Sequence, residues 1–548
     1  MKKKHLIYLS VIALIGLASC GGGEPIPLKK SQANVSRELS EADMESAKAI
    51  YFDRCAGCHG SSRKGATGPH LLPESPEGNT YPGTIALGTI GLKAFIENGT
   101  PAGMPEWKGI LSDSEIELMT RFLQQEPPVI PPFGFEEIAA TWKLIVPAED
   151  RPTKPMHKRN IDNYFGVIMR DAGKVAIIDG DTKEELVVLP TGFAVHILRT
   201  SATGRYIYSV GRDGKITMID TYPETPNIVA EVKGAFDARS VDVSKYKGYE
   251  DKYLVFGGYS PSHIVIFDAQ TLEPLSVTPT AGNACDGEKE YLEEARVAAI
   301  VASHTDPVWI CNIKERGMVD IVDYTDPKNP EITEIPAARY LHDGGWDASG
   351  RYFLVAANAV NKIVVIDVPN KKLVAIIETG SKPHPGRGTN IKNDLGQLWI
   401  TSHLGENKIS AIKTDEGEGQ WTVVKEIKAP GNGGGALFVK SHPKSKHLWV
   451  DRTLNPDAAL NSVVDVFDTQ TLEHKKTITM PDGVDGRMVH MEYNKAGDEV
   501  WVSAFMGENS AILIYNDKTL ELKQIIQGDW VQNPTGKFNV YNTTHDIY

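Results

Sequence analysis

The chain has 548 residues, of which 41% are hydrophobic, 8% aromatic and 24% charged. That is ordinary globular composition, which excludes a disordered, collagen-like or polytopic membrane protein. Its 58 basic and 71 acidic side chains leave a net charge of -13, so the surface repels phosphate backbones and excludes nucleic acid as a partner. Five cysteines are too few for a disulfide scaffold. At roughly 150 residues per domain, this length suggests three to four domains, or one large repeat domain plus a small one.

Residues 1–20 combine a basic start (Lys2-Lys3-Lys4), an apolar stretch from Leu6 to Leu17 and the small residues Ala18-Ser19 before Cys20. This pattern is an export signal. The apolar stretch falls short of the roughly 20 residues that a spanning helix needs. Leu17-Ala18-Ser19-Cys20 resembles the lipobox of bacterial lipoproteins, in which the cysteine becomes the lipidated N-terminus. A soluble secreted protein with an accidental cysteine is the alternative. Residues 21–36, opening on Gly21-Gly22-Gly23, read as a flexible tether. The expected location is the periplasm, with a membrane contact only through lipid on Cys20.

Residues 37–126 read as a small all-α domain. Ser40 is a candidate N-cap for a helix carrying Ala42, Met44, Ala47, Ile50 and Tyr51. A second helix is expected over Gly91 to Asn98. A third starts after Ser112, with Glu115 completing a capping box and Ile116, Met119, Phe122 and Leu123 on one face. Residues 127–135, which include Pro127-Pro128-Val129-Ile130-Pro131-Pro132, cannot continue a helix and read as a stiff linker.

From residue 136 to 548 the texture changes to short β-branched strands split by turns. One phrase recurs, a strand that ends apolar-apolar-Asp before a polar turn. It appears at Ile178-Asp179, Ile219-Asp220, Phe267-Asp268, Val322-Asp323, Ile366-Asp367 and Phe467-Asp468, with Ile412-Lys413 and Tyr515-Asn516 as variants. The spacing is about 41 to 55 residues, the period of four-stranded propeller blades. Radial closure covers each blade with its neighbours, which an isolated sheet cannot do. The expected fold is a small all-α domain followed by an all-β eight-bladed propeller, with an array of β-sandwiches as the alternative.

Cys55-Ala56-Gly57-Cys58-His59 is the attachment pattern of a c-type haem. Cys55 and Cys58 would add to the vinyl groups of one covalent haem c, and His59 would reach its iron. Two cysteines alone also suit a zinc half-site or a redox pair, but the adjoining histidine and the export signal favour haem. Met104 lies in the Gly/Pro-rich loop Asn98 to Pro105, where a thioether would complete a His/Met ligand set of high potential. Met44 and Met119 lie on apolar helical faces and read as core.

The second chemistry lies among the strands. His196, His342 and His384 stand in Gly-rich or Arg-flanked phrases, alongside Arg170, Arg199, Arg212, Arg239 and Arg387. Guanidinium forks match carboxylates bidentately, so the set suits a polycarboxylate macrocycle. One histidine would bind iron while others donate protons on its opposite side. Solvated arginines and satisfied loop histidines are the bland alternative, which spacing alone leaves open.

Across its mature length the chain resembles the cytochrome cd1 nitrite reductases. The phrases that carry the resemblance include Cys55 to Gly60, Gly103-Met104-Pro105, Gly192-Phe193-Ala194-Val195-His196, Gly211-Arg212-Asp213-Gly214-Lys215, Asp237-Ala238-Arg239-Ser240-Val241, Leu341-His342-Asp343-Gly344-Gly345, His384-Pro385-Gly386-Arg387-Gly388 and Pro534 to Asn542. The resemblance implies haem d1, non-covalently held, with His196 as proximal ligand of its iron. It makes His342 and His384 the pair that binds and protonates nitrite. Arg170, Arg199, Arg212, Arg239, Tyr259, Arg387 and Thr535 match positions lining the d1 pocket.

The same resemblance implies one-electron reduction of nitrite to nitric oxide, a small periplasmic cytochrome c or cupredoxin as electron donor, and a homodimer. The chain departs from the family at His490, which replaces a pocket glutamine, and in having no tyrosine between Cys20 and Ile50. Cys285 and Cys311 match no functional position and read as free thiols. Two other functions stay open at this level: a d1-biosynthesis relative acting as dehydrogenase or carrier of the macrocycle, and a non-catalytic cytochrome-propeller electron carrier.

Overall fold

A computed structural model describes residues 39–548, apart from 66–67, 78, 101–103, 105, 128 and 287–290. The expected leader and tether, with Cys20, lie outside the described residues.

The first helix, α1 (Glu41–Ile50), starts where the Ser40 hydroxyl accepts the Asp43 N–H at 3.1 Å. It runs on through a π-helical turn, Tyr51–Cys55, into the short α2 (Ala56–His59). The next helix, α3 (Thr84–Asn98), begins well before the expected Gly91. Gly88, at φ +66°, breaks it internally, so the sequence pattern reveals only its second half. After it, α4 (Asp113–Leu123) carries the expected capping box: Ser112 and Glu115 exchange side-chain to backbone bonds at 3.3 and 2.7 Å. Its Ile116, Met119, Phe122 and Leu123 pack against Ala47, Tyr51, Leu92 and Ile96 in one core. Burial of each such large side chain contributes about 1.5–3 kcal/mol.

The β region forms eight four-stranded antiparallel sheets arranged as blades, one of them extended by a fifth strand. Every recurring apolar-Asp phrase ends the third strand of a blade, counting from the hub: Lys174–Asp179, Lys215–Asp220, His263–Asp268 and their five counterparts. The repeated aspartate has a local cause. Asp268 Oδ1 accepts the N–H groups of Gln270 and Thr271 at 2.8 and 2.9 Å, and Asp468 does the same for Gln470 and Thr471. The carboxylate thereby ties the turn between third and fourth strands.

The ring closes with a strand from the far end of the chain. Pro534–Asn539 forms the innermost strand of blade 1 and pairs with Tyr164–Met169, with Phe165 opposite Asn539 and Val167 opposite Lys537. Across the adjacent boundary, Phe165 stacks on Trp501 of blade 8, ring centroids 3.9 Å apart. Trp309, Trp399, Trp449 and Trp501 are all fully buried on second strands.

The segment after the linker differs from the expected strand texture. Residues Phe135–Thr141 form a helix, α5, whose Ile138 is buried in the core of blades 2 and 3. Lys143–Leu144 then pairs onto the outer edge of blade 2. Trp142 donates to the Thr271 carbonyl at 2.8 Å, and Phe133 packs on Phe236 at 4.6 Å. A seven-residue helix is too short to stand out as a periodic pattern, and packing on the blades stabilises it.

Phe165→Ala should destabilise the propeller by about 3–5 kcal/mol, because it opens a cavity beside Trp501 at the closing blade boundary. Urea midpoints of wild-type and variant protein check this.

Candidate active site

Propeller geometry explains why residues far apart in sequence meet. The innermost strands all run the same way, so their N-terminal ends surround one mouth of the hub. His196 immediately precedes the inner strand of blade 2, Arg239 lies near the start of the inner strand of blade 3, and His342 near that of blade 5. His384 and Arg387 precede the inner strand of blade 6, and Thr535 opens that of blade 1. Second strands run antiparallel to these, so their C-terminal ends reach the same mouth and bring Arg170, Arg212 and Tyr259.

Arg239 is the centre of the arrangement. Its Nε donates to His196 Nε2 at 2.8 Å, and its Nη1 lies 2.7 Å from His342 Nε2. Arginine only donates, so both Nε2 atoms are acceptors and both rings carry their proton on Nδ1. His384 is held differently. Its backbone N–H donates to Ser402 O at 2.8 Å and its Nδ1–H to Leu437 O at 2.8 Å, leaving Nε2 toward the hub. The rings of His342 and His384 face each other with centroids 4.9 Å apart.

The cations outnumber what the local carboxylates can pair. Arg212 forms a two-pronged bond to Asp237 at 2.6 and 2.7 Å. Arg199 and Arg387, by contrast, both stand 4.0 Å from the same oxygen of Asp242. Arg199 Nε, Arg387 Nη1 and Tyr259 Oη are buried without hydrogen-bond partners. Burial and the neighbouring Arg387 push Arg199 down to about 10. Burial together with Arg239, Arg212 and Arg170 keeps His196 well below the usual histidine range, in the neutral form that ligates iron. Unpartnered buried donors each cost roughly 1–3 kcal/mol, and the carboxylates of a macrocycle satisfy such a set. The residues fit haem d1.

His342, Asp343 and His384 bring ligand atoms within 4.8 Å of one another, the one such trio of metal-binding side chains among the described residues. Arg239 and Arg387 place fixed positive charge beside it, which opposes a dication. Cys55 and Cys58 therefore have no second half of a zinc site among the described residues. Instead, His59 donates Nδ1–H to Pro69 O at 2.7 Å, which leaves Nε2 as a lone pair for iron. Met104 and Cys55 pack against the same helical core. That geometry fits haem c.

The haem c attachment loop sits directly on the propeller. Arg296, fully buried and paired with Glu315, donates to the carbonyls of Ala56 and Gly57 at 2.7 and 3.3 Å. Ser61 donates its N–H to Glu294 at 2.6 Å, and its hydroxyl to Asp237 at 3.3 Å. Asp237 is the partner of Arg212, so one carboxylate links the cytochrome loop to the hub. Arg170 pairs with Asp53 of the cytochrome domain, which places it at this junction as much as at the hub. Tyr259 lies between the guanidinium groups of Arg212 and Arg296, 5.4 and 5.1 Å from its ring. Thr535 offers its carbonyl to Ser503 at 2.9 Å.

Sequence reasoning missed Asp237, Asp343, Asp451 and Arg296. Asp451 accepts the N–H groups of Leu437, Phe438 and His490 at 2.8, 3.0 and 3.1 Å, and so fixes the carbonyl that orients His384. The only signal was adjacency: Asp343 directly follows His342, and Asp237 lies two residues before Arg239. His490 lies at the hub between Phe438 and Phe538, with centroids 4.7 and 5.3 Å away, and its backbone φ is +53°. Cys311 is buried and Cys285 half-buried, both free.

Comparisons with known proteins agree with this geometry. Residues 159–543 match the family model described as Cytochrome D1 heme domain, and residues 42–123 match that of Cytochrome C oxidase, cbb3-type, subunit III. The chain is 48% identical to a nitrite reductase of Stutzerimonas stutzeri, covering 98% of this chain and 97% of that one. It is 28% identical to a dihydro-heme d1 dehydrogenase of Pseudomonas aeruginosa, covering 92% of this chain and 95% of that one. A solved dihydro-heme d1 dehydrogenase superposes with a TM-score of 0.68 at 26% identity, covering 91% of this chain and 99% of that one. Fold and site thus define an oxidoreductase in which a cytochrome c domain with haem c is joined to an eight-bladed propeller with haem d1. The chain belongs to the cytochrome cd1 nitrite reductase family.

Arg212→Ala should destabilise the protein by about 3–5 kcal/mol by leaving the Asp237 carboxylate buried and unpaired. The double variant Arg212→Ala/Asp237→Ala should recover most of that loss. Urea unfolding of the d1-free protein measures both.

Proposed function

We propose that the hub reduces nitrite to nitric oxide and water by one electron and two protons, with each role carried by a residue named above. The observation that carries this is the gathering, around Arg239, of one neutral imidazole (His196) and a facing pair of others (His342 and His384). Haem d1, when bound, supplies an iron that takes nitrite on one side and an electron passed on from haem c.

Cys55 and Cys58 would hold haem c covalently, with His59 and Met104 as the ligands of its iron. His196 would ligate the d1 iron through Nε2, whose lone pair accepts from Arg239 Nε–H in the d1-free protein, so d1 would take the place of that bond. Arg199, Arg212, Arg239 and Arg387, with Arg170, Tyr259 and Thr535, receive the macrocycle's carboxylates and polar edge. His342 and His384 hydrogen-bond the nitrite oxygens and deliver the two protons that leave as water. Burial holds His342 down to about 3 against the upward pull of Asp343, with Arg239 lowering it further, so the ring rests neutral and a second proton taken up by it is readily given up. The excess of positive charge favours an anionic substrate and stabilises charge on the departing oxygen.

The electron donor is proposed to be a small periplasmic cytochrome c or cupredoxin that meets the haem c domain. Export to the periplasm, lipid attachment through Cys20 and assembly as a homodimer complete the reading. Its support is the leader-like composition of residues 1–20 and the family. No helix among the described residues is long and apolar enough to cross a membrane.

A second reading, oxidation of a dihydro-d1 precursor, is favoured by the likeness to dihydro-heme d1 dehydrogenases. Nitric oxide formed from nitrite by reduced, d1-loaded protein supports the first reading. Conversion of the precursor with no nitric oxide formed supports the second.

His342→Ala and His384→Ala should each lower nitrite turnover by about 100 to 10,000-fold, with d1 still bound, as loss of a general acid does. A nitric oxide electrode and the visible spectrum read the two quantities. Met104→Ala should lower the haem c reduction potential in a spectroelectrochemical titration, and an unchanged potential removes Met104 as ligand.

A further inference from the structure

One carboxylate oxygen lies close to a ring nitrogen of each distal histidine. Asp343 Oδ2 lies 3.2 Å from His342 Nδ1, 3.8 Å from His384 Nε2 and 4.0 Å from Arg239 Nη2. The ring orientations make this more than proximity. His342 turns its Nε2 to Arg239, so its proton resides on Nδ1, the atom nearest Asp343. His384 commits Nδ1–H to Leu437 O, so any additional proton goes to Nε2, which also faces Asp343. The 3.2 Å contact lies off the line of the ring N–H, so in the neutral ring it is a close approach, and it becomes an ion pair only when His342 takes up a second proton.

We propose that Asp343 is a positioning residue for nitrite reduction: the shared counter-ion that loads the two protons onto His342 and His384. This inference rests on the nitrite-reducing role of the hub. The remaining charged and titratable groups facing the trio are Arg239 from blade 3, Arg387 beside blade 6 and His196 beside blade 2. The arginines oppose protonation of the imidazoles, and burial opposes it further. Asp343 is the only carboxylate that faces both rings among the described residues. Its own carboxyl is held well below the usual range, despite burial, by His342, Arg239 and His384. It therefore remains an anion while the imidazoles exchange protons. Each turnover consumes two protons and one electron per nitrite. The electron arrives through haem c, and both imidazoles must be recharged from solvent before the next cycle.

An anion beside an imidazole raises the pH at which it protonates, so removing the charge lowers that pH for both rings. In d1-loaded Asp343→Asn, the alkaline limb of the turnover profile should move down by about 1–2 pH units, the effect of one lost opposite charge. Turnover at pH 7 should then fall about 10 to 100-fold and recover as the pH is lowered. Asp343→Glu, which keeps the charge, should restore the limb.

A second measurement uses the protein carrying haem c alone. The 13C-labelled ring resonances of His342 and His384, assigned with His342→Ala and His384→Ala, should titrate at lower pH in Asp343→Asn than in wild type. A uniform loss of turnover with the limb in place, or unmoved histidine titrations, would overturn the proposal. If wild-type d1-loaded protein makes no nitric oxide, the proposed function falls, and the ring titrations alone still decide the role of Asp343.

Discussion

Closure of the ring depends on one antiparallel pairing, between Pro534–Asn539 and Tyr164–Met169. It joins segments from opposite ends of the β region, so no blade presents an open inner edge at that boundary. Closure also sets the chemistry. Only in a closed ring do the inner strands converge, and only convergence brings His196, Arg239, His342 and His384 from different blades around one axis. The buried stack of Phe165 on Trp501 ties this closed blade to blade 8 across the adjacent boundary.

Within that hub, the structure concentrates positive charge and holds it in place with a few carboxylates. Asp237 pairs fully with Arg212, whereas Asp242 stands between Arg199 and Arg387 at the limit of ion pairing. The result is a set of buried donors with spare capacity, which suits a ligand rich in carboxylates. Such surroundings work against folding, because unpaired buried groups lose their hydration. The apolar blade cores around the hub make the arrangement tolerable. Function and stability are thus divided between the inner rim and the interior of each blade.

The cytochrome domain meets the propeller through the backbone of its own haem-attachment loop. Arg296 and Lys314 donate to carbonyls between the two cysteines, and Glu294 accepts from Ser61 and Ser62 just beyond His59. Bonds of this kind fix the position of the loop whatever side chains it carries. They align the haem-attachment loop with the rim where Arg212 and Tyr259 stand, which a flexible tether between domains does not do.

Features with local causes were legible in the sequence. The Cys55 to His59 phrase is contiguous, the Ser112 capping box spans four residues, and each apolar-Asp phrase reports a strand and the turn it ties. The helix at Phe135–Thr141 and the first half of α3 were not legible, since one is too short to show a period and Gly88 interrupts the other. Sequence by itself therefore determined the two-domain order, the blade count and the presence of haem c. Tertiary structure alone decided which strand closes the ring, which ring nitrogens carry protons, and that Asp343 serves two histidines on different blades. The physical reason is that strand period and turn chemistry act over a few residues. Charge pairing in a buried hub depends on distances that only the closed ring defines.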